Sequence, residues 1–243
     1  MASDIKKSDL ANYVSHRKVV LDFFEEIIKR HRNGKYSQES IVHQLIMPMQ
    51  VESGEIRFDD ANLWLIDERL AFHSFLASDK TLSSMPITGA TETLEPDITC
   101  VNIYDNPLLV NEGRQLPLAS ITVIEIKRPM RNDFLEGEKD NPIEQALLYV
   151  QKIRQGQVKT SSGRPIPQTD LIPAFCYILA DLTPKMIERA KLMGLKPTSD
   201  YMGYFGYNDN YSAYIEVVGF DRLITAAKER NRAFFDKLGL PSN

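Results

Sequence analysis

An acid and an amine two residues apart on an apolar strand form the chemical centre of this sequence. Residues 120–127 read Ser-Ile-Thr-Val-Ile-Glu-Ile-Lys, a β-prone run. Strand side chains alternate faces, so Ile121, Val123, Glu125 and Lys127 share one face while Thr122, Ile124 and Ile126 share the other. Burying either charge is costly unless it has a partner, a metal or a task. Pro96-Asp97 precedes a second β-prone run at 98–104, and residues 105–119 carry Asp, Asn, two Pro and Gly, the composition of a connection between paired strands. A hairpin of these two runs brings Asp97 beside Glu125. Two carboxylates on adjacent strands make a hard oxygen site suited to Mg²⁺ or Mn²⁺, a cation that activates water and neutralises charge developing on a phosphate. Lys127 is placed to orient or deprotonate that water, or to hold the phosphate.

Residues 141–156 predict a helix with Asn141 as N-cap, Pro142 in the first turn, Glu144 closing a capping box and Gly156 as the stop. Its apolar stripe is Ile143, Ala146, Leu147, Val150 and Ile153, which should face the sheet. Gln145 and Tyr149, four apart, are neighbours on an adjoining face; an ordinary surface Gln and Tyr on a core helix is the plainer reading.

The order Pro96-Asp97, Glu125-Ile126-Lys127, Gln145-x-x-x-Tyr149 resembles the PD-(D/E)xK nuclease superfamily in its RecB-like branch. The resemblance covers residues 60–180. It implies an α/β fold with a restriction-endonuclease-like core, a central mixed β-sheet flanked by helices, and Mg²⁺- or Mn²⁺-dependent hydrolysis of DNA leaving a 5′-phosphate, in a restriction, repair or phage-defence setting. Asp97 and Glu125 would be metal ligands, Lys127 would position the water, and Gln145 and Tyr149 would brace the site or the strand. The resemblance further implies an acid on a helix before the Pro-Asp strand. Glu68 is the best match as a supporting catalytic and metal residue and Asp67 its competitor, with a surface ion pair among Asp67, Glu68 and Arg69 as the simpler alternative. A metal-binding His from an earlier helix is also implied. His43 is placed for it and His73 less well, but a His satisfied beside an apolar helix face is the reading the spacing favours.

The elements that must position these residues follow from periodicity. Helices are expected near 9–31, 38–47 and 60–77, the last with Leu65, Phe72, Phe75 and Leu76 on one side. After the two strands and the helix from Asn141, residues 171–180 read as a buried strand, and Thr183 caps a helix from Pro184 to Met193 stopped by Gly194. A hairpin at 204–207 and 212–220 and a closing helix at 221–238 complete the chain. The expected organisation is an N-terminal helical region, 1–59, and a nuclease-like domain, 60–243. Tyr204, Tyr207, Tyr211 and Tyr214 read as one packed hairpin face, with base stacking as the alternative.

Hydrophobic residues make up 43% of the 243, enough for a core. No apolar run reaches membrane-spanning length and no signal-peptide pattern opens the sequence, so no membrane partner and a cytoplasmic location are expected. Cys100 and Cys176 lie in apolar runs and read as reduced core residues. The formal charge of −4 argues against nonspecific coating of DNA. Between Lys127 and Arg164, however, basic residues accumulate, and Arg128, Arg131, Lys152 and Arg154 are the candidates for contacting nucleic acid, although interleaved acids also suit an ordinary solvated surface. DNA is the expected partner and RNA a further one. With no Gly-rich nucleotide loop, an ATPase or sensor would come as a partner or fused domain; a homo-oligomer is also open. A different class of function is a non-catalytic module that binds nucleic acid or a protein partner and keeps the nuclease fold.

Overall fold

The computed structural model describes residues 2–57, 60–103, 119–134, 141–156, 158–159, 165–166 and 168–241. Residues 105–118 of the expected connection between the Asp97 and Glu125 strands, together with Arg164, lie outside them.

Two helices open the chain, α1 (Ala2–Ile27) and α2 (Glu39–Ile46). The strands are β1 (Val51–Glu52), β2 (Phe75–Ser78), β3 (Ile98–Ile103), β4 (Ala119–Ile126), β5 (Ala174–Leu179), β6 (Lys196–Pro197), β7 (Gly203–Asn208) and β8 (Ala213–Val218). Three further helices are α3 (Pro142–Gln155), α4 (Pro184–Leu192) and α5 (Phe220–Lys237). Among the described residues the strands form one eight-stranded sheet in the order β1-β2-β3-β4-β5-β8-β7-β6. Pairing is antiparallel from β1 to β4, parallel from β4 through β5 to β8, and antiparallel again through β7 and β6. The protein is therefore α/β with a mixed sheet flanked by helices. No helix of the described residues is long and apolar enough to cross a membrane.

Alternation along β4 works as the sequence expects. Ile121 and Val123 enter a core with α3 and α4, while Ile124 and Ile126 enter a second core with α1, α2 and α5. With both faces covered, all eight residues of β4 are buried. The second core joins Val14, Leu21 and Phe24 of α1 to Phe220, Leu223 and Phe235 of α5, so the boundary expected at residue 59 falls within shared packing. Cys100 and Cys176 are free and buried in opposite cores, and burial pushes both thiols up to about 12.

The helix expected at 60–77 is absent. Residues 63–65 and 68–71 form two short 3₁₀ turns, the second capped by the Asp67 carboxylate, and Phe75–Ser78 is strand β2, paired with β3. Phe72, counted on the apolar stripe, is 78% exposed. The i, i+4 pattern was real, but inter-strand hydrogen bonds to β3 and consecutive burial of Leu63, Trp64 and Leu65 outweigh it. In the C-terminal hairpin Tyr204 is buried on the α3 side, whereas Phe205 and Tyr207 are exposed on the other, so the tyrosines do not form one packed face.

Candidate functional site

The β3–β4 register places Ile98 opposite Ile124, which puts Asp97, one residue before β3, level with Glu125. Asp97 Oδ2 accepts the Ile126 amide at 2.6 Å. Lys127 Nζ donates to Glu125 Oε2 at 2.9 Å and lies 4.0 Å from Asp97 Oδ2. The three side chains expected to converge do so. Glu125 is 2% exposed and Lys127 6%.

Charge within this trio does not balance. Lys127 carries one positive charge against the two carboxylates it faces. Burial raises the carboxyls of both Asp97 and Glu125; Glu125, also repelled by Asp97, is pushed up to about 8, while the two acids hold the Lys127 ammonium above its ordinary value despite its burial. Two acids and one amine out of water favour retaining an extra proton, which the coupled carboxyls of Asp97 and Glu125 share. Glu125 Oε1 is buried without a hydrogen-bond partner. An orphaned carboxylate oxygen beside a second carboxylate is what a hard divalent cation would satisfy.

Helix α2 adds residues from the opposite core. His43 is buried, its Nε2 lies 2.8 Å from Ser78 Oγ and its Nδ1 3.8 Å from Asp97 Oδ1. Desolvation lowers its pKa despite the nearby acids Asp79 and Glu39, so its ring is neutral at pH 7 and able to ligate. His43 is thus a satisfied buried His, as the spacing favoured, and it is also next to Asp97. Glu39, one turn earlier, accepts the Arg128 amide at 3.1 Å, and its charge reaches His43 and Lys127. Asp79 has φ +53°, donates its amide to Asp97 O at 2.8 Å, and takes the Gln50 amide on its carboxylate at 2.8 Å. Neither acid stood out in the sequence. Only the four-residue spacing of Glu39 and His43 on a helix could have flagged the first.

Glu68 does not join the trio. It takes a bidentate ion pair from Arg17, at 2.6 and 2.9 Å, and Arg17 also binds Asn231 and stacks between Tyr13 and Trp64. Glu68 is the half-exposed anion of a clamp between α1, α5 and the 3₁₀ turns, so its partner in the fold is Arg17 and not the Asp97, Glu125 and Lys127 group. Asp67, the competitor, is engaged by Arg69. A cavity of about 460 Å³ beside Glu68, lined by Trp64 and Phe72 among others, carries no convergent acid pair, so it is not the candidate site.

Asn141 caps α3, accepting the Ile143 amide at 3.0 Å and donating to Glu144 at 2.7 Å. Tyr149 is buried within the core rather than beside the stripe, and its hydroxyl donates to Glu95 O at 3.3 Å. Desolvation, then the charges of Glu125 and Asp97, raise its pKa, which puts the phenol within their field. Gln145 lies one turn earlier on α3, half-buried.

Of the four expected nucleic-acid contacts, Arg128 follows Lys127 directly and Arg131 comes three residues later, with its guanidinium 4.0 Å from Glu39. Lys152 pairs with Glu92 at 3.2 Å. Arg154 is 6% exposed and hydrogen-bonds the carbonyls of Ile172, Tyr211 and Ser212, joining α3 to the ends of β5 and β8. Its role is therefore structural, because a guanidinium committed to three carbonyls is not available to phosphate. Arg154→Met is expected to cost about 2–4 kcal/mol by stranding those carbonyls. Urea unfolding would show the loss.

Among the described residues no group of three His, Cys, Asp or Glu is placed to hold a metal ion. Mg²⁺ does not require one, since it is commonly held by one or two carboxylates with water and substrate phosphate completing the octahedron. Asp97 and Glu125 fit that demand, with His43 adjacent. No protein-family model matches the sequence, and no curated protein or solved structure matches the chain.

Proposed function

We propose that this chain is a metal-dependent nuclease of the PD-(D/E)xK type, RecB-like, that hydrolyses phosphodiester bonds in DNA. The observation that carries the reading is the convergence of Asp97, Glu125 and Lys127 around an orphaned carboxylate oxygen. A mixed sheet flanked by helices is compatible with a restriction-endonuclease-like core, and the Tyr149 phenol lies in the field of both acids, in keeping with a bracing role.

Asp97 and Glu125 would hold Mg²⁺ or Mn²⁺, which when bound supplies a Lewis acid and lowers the pKa of a water. The Ile126 amide fixes the Asp97 carboxylate, so one ligand is oriented before anything binds. Lys127 carries a positive charge where negative charge develops on the phosphate oxygens, and its ammonium is positioned to orient the attacking water. Neutral His43, locked by Ser78, keeps a ring nitrogen toward Asp97 without adding charge.

Cation binding replaces the missing countercharge, so it should stabilise the fold. Mg²⁺ or Mn²⁺ at about 100 times its Kd is expected to add about 2–3 kcal/mol, read as a rise of several degrees in melting temperature over EDTA. Asp97→Asn should remove the effect. Equal metal-induced stabilisation in wild type and variant would overturn the ligand assignment.

A further inference from the structure

The strand bearing Glu125 and Lys127 leaves the site through Arg128, Pro129, Met130 and Arg131. Met130 has φ +58°, a region costly for any residue with a Cβ and seldom used outside Gly, Asn and Asp. Its amide donates to Asp181 Oδ2 at 2.7 Å, the Arg131 carbonyl accepts from Thr183 Oγ1 at 2.8 Å, and Asn132 Oδ1 accepts the Lys185 amide at 3.0 Å. Two bonds to the turn before α4 and one to the first turn of α4 hold the strained segment in place. What they hold out is an apolar side chain, 49% exposed, that adds nothing to either core.

Its neighbours have the chemistry of a phosphate rim. Arg128 is half-exposed, and its guanidinium lies 4.0 Å from Asp133, a contact loose enough to exchange for a phosphate. Arg131 is braced over the Phe134 ring at 5.1 Å and by Asp133 at 2.9 Å. An apolar tip between two cations, three residues beyond Lys127, suits the edge of a base stack flanked by phosphates. Resting on the nuclease reading above, we infer that Met130 is a wedge that enters the stack of duplex DNA beside the scissile phosphate, with Arg128 and Arg131 on the flanking phosphates. An unbranched, polarizable thioether can follow the irregular gap between separated bases, and apolar side chains of this kind unstack and kink duplexes elsewhere. Met130 is accordingly a positioning residue that brings the phosphate to Lys127.

The test uses a duplex carrying 2-aminopurine, with Ca²⁺ in place of Mg²⁺ so that binding is read without cleavage. Wild type should raise the fluorescence by unstacking the probe, whereas Met130→Ala should bind within about threefold and give little rise. Met130→Gly, which suits a positive φ, guards against a folding artefact and should behave as Met130→Ala does. With Mg²⁺, Met130→Ala should cut the intact duplex at least about tenfold more slowly, yet cut a duplex opened by a mismatch at the wild-type rate. Binding by wild type with unchanged fluorescence, or equal slowing on both duplexes, overturns the wedge and leaves the nuclease standing. Absence of DNA binding by wild type overturns both.

Discussion

Lys127→Ala is expected to lower Mg²⁺-dependent DNA cleavage by about 10³-fold while DNA affinity in Ca²⁺ falls only a few-fold. The ammonium sits 2.9 Å from Glu125 and 4.0 Å from Asp97, facing inward, so little of its charge is offered to distant phosphates. Its value is greatest where charge grows during attack on phosphorus. The same substitution leaves two buried carboxylates without their shared cation, so in EDTA the variant should also lose about 3 kcal/mol of stability, much of it restored by Mg²⁺. Cleavage must therefore be scored per folded molecule. Unchanged cleavage, or a loss explained entirely by unfolding, would remove Lys127 from the chemistry.

Glu125→Gln is expected to abolish cleavage to a similar degree and yet stabilise the metal-free protein at alkaline pH. Burial and Asp97 raise the Glu125 carboxyl from near 4.5 to about 8. A carboxyl raised on folding binds more protons folded than unfolded. Its favourable contribution is therefore complete below about pH 4.5 and is lost as pH rises through about 8. Metal-free wild type should weaken across that window on account of this group, and the amide variant, which cannot ionise there, should not. At pH 9 the variant should be more stable by on the order of 1–2 kcal/mol, a difference of a few degrees that closes by pH 5. Melting curves in EDTA across this range are the check. A variant less stable than wild type at pH 9 would mean that Glu125 is a structural ion-pair partner of Lys127 and no reserved ligand.

Local pattern made much of this legible in the sequence. Alternation along 120–127 gave the faces of β4, Asn141 and Pro142 marked the start of α3, and the paired runs at 204–207 and 212–220 marked the hairpin of β7 and β8. Asp97, Glu125 and Lys127 were found because strand register brings together residues whose types already demanded a partner. The misses have non-local causes. Leu65, Phe72, Phe75 and Leu76 have helical spacing, but only the pairing of Phe75–Ser78 with β3 decides their conformation. Glu68 is next to its real partner, Arg17, only after α1 has packed on α5. Glu39 and Asp79 reach the site through tertiary placement of α2 and of the turn after β2, and Arg154 looks like any basic residue until the carbonyls around it are seen.

The central claim is hydrolysis, and the most direct measurement is cleavage of plasmid and single-stranded DNA by purified wild type with Mg²⁺ or Mn²⁺, alongside EDTA and Asp97→Asn controls. The expected result is metal-dependent cutting with 5′-phosphate ends, absent in EDTA and in the variant. Wild type that binds DNA in Ca²⁺ but cuts neither substrate with either metal would contradict the nuclease and leave a nucleic-acid-binding module in its place.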